Sequence, residues 1–320
     1  MILRILFLFL AVAACTRPAP EPIPLLLTVM TFNTWGAGAN EGKSIDATVA
    51  VLRKANADIV GLQEVRREST ACSAENCSPS GPSVAPAIAA AMGYFVYEQG
   101  QQNEALWANA VLSRYPITGH TSNDLGVIVE IDQKKVVLFN IHLTDYPYQP
   151  YQLLQIPYDA APFLATEEEA IAAAAAARGA AARLLIEDLD EVSNADAVFV
   201  VGDFNEPSHR DWTSRAAAIG RHPISVRFPT AQRIEAEGFD DAYRSVFADE
   251  IAAPGYTWTP TSLPDDAGDH HDRIDYVFVR GANIAIQSAA VVGEDSAASD
   301  IVVMPWPSDH RAVVASVSIP

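Results

Sequence analysis

Short apolar runs separated by polar turns occupy most of the chain. Runs rich in β-branched and aromatic residues predict strands at residues 23–34, 58–63, 94–98, 110–113, 127–131, 136–143, 198–201, 274–279 and 312–318. A short polar turn at residues 132–135 joins two of these runs. At least part of the predicted sheet structure is therefore antiparallel.

Two helices are predicted between the strands by their capping residues. Ser44 is placed to cap a helix that continues to about Ala55. Thr166 and Glu169 form a capping box for a long Ala-rich helix that ends near Val192. The intervening segment 144–162 is rich in Tyr and Pro and is predicted to be an irregular loop. Strands, helices and then strands again indicate two packed sheets with helices outside.

The chain begins with a segment typical of export signals. Arg4 precedes an apolar run at residues 5–12, and small residues then lead to Cys15. The run Val12-Ala13-Ala14-Cys15 resembles a bacterial lipobox, which predicts lipidation of Cys15; an ordinary cleaved signal with a chance cysteine is the alternative. Residues 16–24 contain four prolines and predict an extended tether. No later linker divides the chain, so residues 25–320 are predicted to form one domain.

Charge and cysteine content narrow the choice of partners. Forty acidic residues against 21 basic ones give a net charge of −19, which argues against general attraction to nucleic acid or anionic membrane. Cys72 and Cys77 lie close together without a second Cys or His pair to complete a zinc site. In an exported protein this pair predicts a loop-closing disulfide.

Polar side chains recur where the predicted strands end and a cleft can begin. The positions with this placement are Asn33, Glu64, His142, Asp203, Asn205, Asp275, Asp309 and His310. Any one of them alone is more typical of a turn former or a helix cap. Together they provide the groups that hydrolysis of a phosphate ester requires.

Oxygen donors among these residues suit a hard cation. Asn33, Glu64 and Asp309 offer amide and carboxylate oxygens, the ligands that Mg²⁺ prefers. A cation held there can polarise phosphoryl oxygens and offset charge on the leaving group. The sequence thus predicts a magnesium site, with Mn²⁺ as an alternative.

The remaining strand-end residues suit acid–base chemistry. Asp203 can orient or deprotonate the attacking water, and Asn205 can donate to a phosphate oxygen. His142 and His310 can contact the phosphoryl group, and one of them can protonate the departing alkoxide. Asp275 can hold His310 in one tautomer and raise its pKa.

Six ordered motifs carry a family resemblance. They are Thr31-Phe32-Asn33-Thr34-Trp35, Leu62-Gln63-Glu64, Asn140-Ile141-His142-Leu143, Gly202-Asp203-Phe204-Asn205, Arg273-Ile274-Asp275-Tyr276 and Ser308-Asp309-His310. This set resembles the signature of the endonuclease/exonuclease/phosphatase superfamily. The resemblance implies a four-layer α/β sandwich, with two mixed β-sheets packed face to face and helices outside.

The same resemblance implies roles for the strand-end residues. Asn33, Glu64 and Asp309 would lie at the metal, and Asp203 would activate water. The phosphoryl group would be bound by Asn205 and His142, and Asp275 would support His310. All eight positions carry the expected residue type, which argues against an inactive member.

His142 also bears on the substrate. A histidine in the Asn-Ile-His-Leu motif resembles the deoxyribonuclease, sphingomyelinase and inositol-phosphatase branches, which favours general phosphodiesters or soluble phosphates. Such branches place a carboxylate or amide behind this histidine, and Glu104 and Asn109 are both candidates.

Variable segments beside the motifs predict the walls of the substrate pocket. Tyr146, Tyr148 and Tyr151 can stack on a base, a sugar or a choline-like cation, and His209 is a similar candidate. The alternative is that these tyrosines pack the loop onto the body and that His209 starts an ordinary helix.

Four other histidines are expected to stay outside the site. His270 and His271 are predicted to belong to a polar loop, although they can reach the cleft. His120 and His222 have no neighbouring candidate in the sequence and are interpreted as structural or solvated.

The sequence therefore predicts a monomeric, exported, lipid-anchored and Mg²⁺-dependent phosphoesterase, with phosphodiesters preferred over monoesters. Its partners would be a phosphate-ester substrate, and a membrane only through the lipid anchor. One alternative is an extracytoplasmic nuclease, for which Arg66-Arg67 and Lys134-Lys135 are the nearest basic pairs. A second alternative is a binding lipoprotein without catalysis.

Overall fold

The computed structural model describes residues 23–73, 77–100 and 102–320. The predicted signal peptide, Cys15 and nearly all of the predicted tether lie outside them. The strands within the described ranges are β1 (Leu25–Asn33), β2 (Ile59–Gln63), β3 (Arg67–Glu68), β4 (Pro79–Ser80), β5 (Phe95–Glu98), β6 (Ala110–Ser113), β7 (Ile117–His120), β8 (Gly126–Ile131), β9 (Lys134–His142), β10 (Ala197–Asp203), β11 (Asp240–Asp241), β12 (Asp275–Arg280), β13 (Ala285–Gly293), β14 (Ile301–Val302) and β15 (Ala312–Ile319).

The helices lie between these strands. They are a 3-10 helix (Gly36–Glu41), α1 (Ile45–Ala55), α2 (Ala85–Met92), α3 (Gln149–Leu154), α4 (Glu167–Asp190), α5 (Ser214–Ala218), α6 (Pro229–Ala236) and α7 (Ala242–Val246). The predicted caps are present: Ser44 accepts from Asp46 N, and Thr166 and Glu169 complete a capping box. Within the described ranges, no helix combines the length and the apolar character needed to cross a bilayer.

Two large mixed sheets form the body of the molecule. One has seven strands in the order β14-β13-β15-β1-β2-β6-β5, and the other has six in the order β11-β12-β10-β9-β8-β7. The pairs β1–β2 and β9–β10 are parallel, while the other neighbours within the six-stranded sheet are antiparallel. A separate ribbon contains β3 and β4.

Three apolar cores separate four layers. The central core joins residues of both sheets, such as Val29 and Val313 from one and Leu138 and Phe199 from the other. Helices α1 and α2 cover the outer face of the seven-stranded sheet, and α4 and α6 cover the outer face of the six-stranded sheet. The predicted four-layer sandwich is confirmed.

Some elements of the structure were not predicted from the sequence pattern. Residues 144–162 contain the short helix α3, which the density of Pro and Tyr concealed; Pro150 lies in its first turn, where proline is tolerated. The strand β13 is exposed mainly in its first half and mixes small and polar residues, so it lacks the apolar alternation that marks a strand.

Asn140 links the two sheets through a buried polar contact. Its side chain lies in β9 and donates to the carbonyl oxygen of Leu62 in β2 at 3.0 Å and to Gln99 Oε1 at 2.8 Å. It accepts from Gln63 Nε2 at 2.6 Å. Gly61 leaves room for this contact, since a Cβ there would lie 2.7 Å from Asn140 Oδ1. The ends of β2 and β9 are therefore aligned with each other.

The predicted disulfide between Cys72 and Cys77 is present. Trp107 Nε1 donates to the carbonyl oxygen of Cys77 at 2.9 Å. Cys77 is thus attached to Trp107, whose carbonyl oxygen lies 3.5 Å from Nδ1 of His142 at the end of β9.

Replacing Asn140 with Ala should lower the free energy of unfolding by about 3 kcal/mol, because Gln63 and Gln99 would lose a buried partner. Urea denaturation of the full-length protein measures the change. Gln287→Ala on an exposed strand position is the matched control and should change stability by less than about 0.5 kcal/mol. Equal losses in the two variants would contradict a link between the sheets at Asn140.

Candidate active site

The strand ends of both sheets meet at one edge of the sandwich. In one sheet, Asn33 ends β1 and Glu64 directly follows β2. In the other, His142 ends β9 and pairs with Asp203 at the end of the parallel strand β10. Asp275 begins β12 opposite Asp203. Residues that are distant in sequence are therefore brought together by strand pairing.

Asn33 connects two of the carboxylates. Its Nδ2 donates to Glu64 Oε1 at 2.9 Å and to Asp203 Oδ2 at 3.0 Å, while its Oδ1 accepts from Trp35 N at 3.1 Å. The backbone of Glu64 is in the left-handed region, with φ 54°. This conformation is uncommon for Glu and turns the chain sharply after β2.

Glu64 and Asp309 form the part of the site best suited to a cation. Burial raises the pKa of Glu64 to about 7, and Asp309 contributes to the increase. Burial likewise raises the pKa of Asp309 to about 6. Glu64 Oε2 is buried and lacks a hydrogen-bond partner. A desolvated oxygen without a partner, beside a second carboxylate, fits a hard divalent cation.

Asp203 faces two imidazoles. His310 Nε2 lies 3.5 Å from Asp203 Oδ2, and His142 Nε2 lies 3.6 Å from the same oxygen. Gly202 permits this placement because its φ is +144° and a Cβ there would overlap the carbonyl oxygen of Ile141. The glycine of the Gly-Asp-Phe-Asn motif is thus required by close strand packing.

His310 is held by a buried carboxylate. Its Nδ1 lies 3.0 Å from Asp275 Oδ2, and Thr257 Oγ1 accepts from Asp275 N at 3.1 Å. Burial opposes the charge on His310, but Asp275 and Asp203 outweigh it and hold the pKa of the imidazole well above its usual value. The arrangement favours an imidazolium whose Nε2–H points to Asp203.

Asn205 and His142 complete the arrangement around Asp203. Asn205 N donates to Asp203 Oδ1 at 2.8 Å. Asn205 Nδ2 donates to the carbonyl oxygen of Leu143 at 2.9 Å, which leaves its second amide hydrogen for another acceptor. His142 Nδ1 lies 3.5 Å from the carbonyl oxygen of Trp107.

Neither proposed partner of His142 occupies that position. Asn109 instead donates to the carbonyl oxygen of Asn140 at 3.2 Å. Glu104 is exposed and lines the cavity in front of the site. The backbone carbonyl of Trp107 therefore lies beside His142 Nδ1, where the side chain of Glu104 or Asn109 was expected.

A cavity of about 510 Å³ opens onto these groups. Its acidic lining residues are Glu64, Glu68, Glu104, Asp145, Asp203 and Asp309. The described residues that line it include His142 and His310 but neither Lys nor Arg. Local positive charge must therefore come from the imidazoles or from a bound cation.

Aromatic side chains form one wall of the cavity. Tyr148, Tyr151, Tyr158, Trp107 and Trp258 line it. The sequence patterns missed Tyr158 and both tryptophans, because these residues lie in loops that carry no strand-end signal. The ring of Trp258 packs 5.0 Å from the ring of His310 between centroids.

Two predicted wall residues lie elsewhere. Tyr146 packs edge-on against Tyr158 and is not among the lining residues. His209 Nε2 lies 3.3 Å from Glu235 Oε2 on α6, because the chain turns away from the cavity after Asn205. The structure thus retains Tyr148 and Tyr151, but not Tyr146 or His209, as candidates for contact with substrate.

Two mixed sheets carry carboxylates and imidazoles at their shared edge, an arrangement suited to hydrolysis of phosphoesters. Residues 30–310 match the model of the Endonuclease/Exonuclease/phosphatase family. The match spans most of the chain, which therefore belongs to this family. Members of the family hydrolyse phosphoester bonds and generally use a divalent metal.

Similar proteins occur in several organisms. An uncharacterized protein of Caenorhabditis elegans is 24% identical over 306 residues, which cover 90% of each chain. An endonuclease/exonuclease/phosphatase from Beutenbergia cavernae shares the fold with a TM-score of 0.54 and 20% identity, over 92% of this chain and 72% of that one. The 3′ phosphatase NExo from Neisseria, bound to a product DNA hairpin, has a TM-score of 0.52 and 18% identity, over 90% and 98%.

Binding of Mg²⁺ should weaken about tenfold from pH 7 to pH 6, because the cation must displace protons from carboxyls with raised pKa values. Glu64 is half protonated near pH 7 and Asp309 near pH 6. Isothermal titration calorimetry across pH 5–8 measures the affinity and the released protons. Asp145→Asn, an exposed carboxyl of the same cavity, should keep this dependence. An affinity that stays constant over the range would contradict Glu64 as a ligand.

Proposed function

We propose that the protein is a metal-dependent phosphodiesterase that acts outside the cytoplasm on substrates carrying a single phosphate group. The observation that carries this proposal is that two imidazoles lie within 3.6 Å of one oxygen of Asp203, in the cavity that Glu64 and Asp309 also line. Each group required for phosphoryl transfer to water has a side chain within the same cavity.

Glu64 and Asp309 would hold the metal, and Asn33 would assist by orienting Glu64 through the hydrogen bond from its Nδ2. Magnesium suits their hard oxygen donors, and manganese is the alternative. When bound, the cation supplies Lewis acidity at the phosphoryl oxygens and offsets charge on the leaving oxygen. Its positive charge also relieves the repulsion between the two desolvated carboxylates.

Asp203 serves as the acceptor of a proton from the attacking water. The amide of Asn33 holds Oδ2 in position, and the backbone N of Asn205 holds Oδ1. Because both oxygens are anchored, the carboxylate is oriented before substrate arrives, which lowers the cost of reaching the reactive geometry.

The imidazoles and Asn205 bind the phosphoryl group. His310 contributes an N–H of an imidazole whose positive charge is maintained by Asp275, and His142 Nε2 lies 3.6 Å from Asp203 Oδ2. The free amide hydrogen of Asn205 can donate to a phosphoryl oxygen. One imidazole N–H can supply the proton that the departing alkoxide requires.

The charge of the cavity supports a substrate with one phosphate. The lining carries several carboxyls and, among its described residues, neither Lys nor Arg. A polyanion would meet repulsion beyond the reacting phosphate. Lys134 and Lys135 lie at the start of β9, roughly 26 Å from His142 at strand spacing. They cannot contribute to a basic groove at this site.

A nuclease or a nucleic-acid phosphatase is the second candidate. It is favoured by the likeness to the 3′ phosphatase that was crystallised with a DNA hairpin. Arg66 and Arg67 lie two and three residues after Glu64 in the sequence and are the nearest basic pair. A third alternative, a binding lipoprotein without catalysis, has less support because the candidate groups lie within contact distance of one another.

Location outside the cytoplasm is part of the proposal. The segment 1–15 supports export, Cys15 supports a lipid anchor, and residues 16–24 would hold the domain away from the membrane surface. The disulfide between Cys72 and Cys77 agrees with an oxidising compartment.

Hydrolysis of a chromogenic phosphodiester by the full-length protein should require Mg²⁺ and stop in excess chelator. Asp203→Asn should lower kcat about 10²–10⁴-fold, because the water loses its proton acceptor. Glu168→Gln, an exposed carboxyl of α4 away from the cavity, serves as the matched control. Activity that survives either chelator or Asp203→Asn would reject the proposed mechanism.

The same assay should be extended to phospholipid headgroup diesters, inositol phosphates and plasmid DNA. Diesters with one phosphate are expected to give the highest kcat/KM. Preference for plasmid DNA or for a 3′-phosphorylated oligonucleotide would favour the second candidate instead.

Asp275→Asn should lower kcat on the order of 10²-fold, because the variant leaves His310 without its carboxylate partner. The pKa of His310 should fall toward its ordinary value, so the imidazolium would lose its proton at lower pH than in the wild type. The decline of kcat on the alkaline side should therefore shift to lower pH, with a smaller effect on KM. An unchanged pH profile would argue that Asp275 only packs the core.

A further inference from the structure

A second cluster of potential metal ligands lies behind the aromatic wall. His222, His270 and Asp272 each offer one ligand atom, and these three atoms lie within 4.8 Å of one another. His222 Nδ1 lies 3.1 Å from His270 Nε2, and His270 Nε2 lies 3.8 Å from Asp272 Oδ1. The sequence does not reveal this cluster, because 48 residues separate His222 from His270.

We infer that His222, His270 and Asp272 form a zinc site separate from the catalytic cleft. Two ligands on a tetrahedral zinc ion with Zn–N bonds of about 2.0 Å lie about 3.3 Å apart. The observed separations of 3.1 Å and 3.8 Å bracket this value. An ion would therefore fit with small adjustments of the side chains.

The surroundings suit a transition metal ion. Burial lowers the pKa of His222, which favours the neutral imidazole that coordinates metals. Trp212 stacks on His222 at 4.2 Å between ring centroids and holds the ring in place. Nitrogen donors also favour zinc over Mg²⁺, which distinguishes this cluster from the oxygen donors of the catalytic cleft.

Asp272 is oriented by neighbours of the kind that support metal ligands. Trp212 Nε1 donates to Asp272 Oδ1 at 2.8 Å, and Tyr148 Oη donates to Asp272 Oδ2 at 2.7 Å. Each carboxylate oxygen has two lone pairs, so Oδ1 can accept this hydrogen bond and bind an ion. Such second contacts fix the direction of a ligand.

An ion has a route to the cluster from solvent. His270 lines a second cavity of about 440 Å³, together with Asp265, Asp266 and Asp269. The carboxylates attract cations, and the cavity leaves space for a water molecule as the fourth ligand.

The site would stabilise one wall of the catalytic cavity. Asp272 pairs through its backbone with Trp258, which in turn pairs with His310. Tyr148 lines the cavity and is bound to Asp272. An ion at Asp272 would thus link the loop containing His222 to the wall that packs against His310.

Cobalt(II) is the probe, since tetrahedral Co²⁺ absorbs visible light where Mg²⁺ and Zn²⁺ do not. Full-length protein carrying Glu64→Gln, which weakens the catalytic site, is stripped of metal and titrated with Co²⁺. One equivalent should produce the bands of a tetrahedral site, and one equivalent of Zn²⁺ should remove them, whereas excess Mg²⁺ should not.

His222→Gln and His270→Gln, added separately, should abolish the bands or weaken Co²⁺ binding at least about tenfold. His120→Gln replaces an exposed histidine outside the cluster and should leave them unchanged. The proposal would be overturned if the bands were absent, or if both cluster variants gave bands as strong as those of the Glu64→Gln protein. The two histidines would then be joined by a hydrogen bond only.

Should both cluster variants fail to fold, X-ray absorption of the zinc-loaded Glu64→Gln protein decides the question. Scattering from two imidazoles supports the site, and scattering from fewer than two rejects it. The outcome does not depend on catalysis, because each readout is the binding of a metal to a protein whose catalytic carboxylate has been removed.

Discussion

The buried carboxylates at the shared edge of the two sheets are the feature on which the rest of the structure depends. Glu64, Asp203 and Asp309 lie in one cavity. Burial raises the pKa values of Glu64 and Asp309, which disfavours their charged forms. The amide of Asn33 and two imidazoles compensate part of this cost. The negative charge that remains uncompensated is the physical reason that the site suits a divalent cation. Holding these carboxylates close together also requires a rigid scaffold.

Rigidity comes from the way in which the two sheets are aligned. The side chain of Asn140 bridges them two residues before His142, and Gly61 provides the space for it. Gly202 permits close packing of β10 against β9, so that Asp203 lies beside His142. Small and polar residues at these positions bury less apolar surface than larger side chains would, but they align the ends of the strands with one another.

The aromatic wall joins the catalytic cavity to the histidine cluster behind it. The hydroxyls of Tyr148, Tyr151 and Tyr158 all donate to aspartates, so these rings present their faces and edges rather than their hydroxyls to the cavity. A wall of this kind can accept an apolar or cationic group attached to a phosphate. The wall provides no positive charge that would bind a chain of phosphates, which agrees with the acidic lining of the cavity.

The sequence by itself determined the layer architecture, the long capped helix and the eight strand-end residues, because alternation, caps and ordered motifs are local properties of the chain. It did not determine the walls of the cavity. Tyr158, Trp107 and Trp258 lie in loops whose direction is decided by packing, and His209 turns away to pair with Glu235 for the same reason. The contact between His222 and His270 could not be predicted from the sequence either. Contacts between loops distant in sequence depend on how both sheets and their helices fill space, and only the tertiary structure decides that.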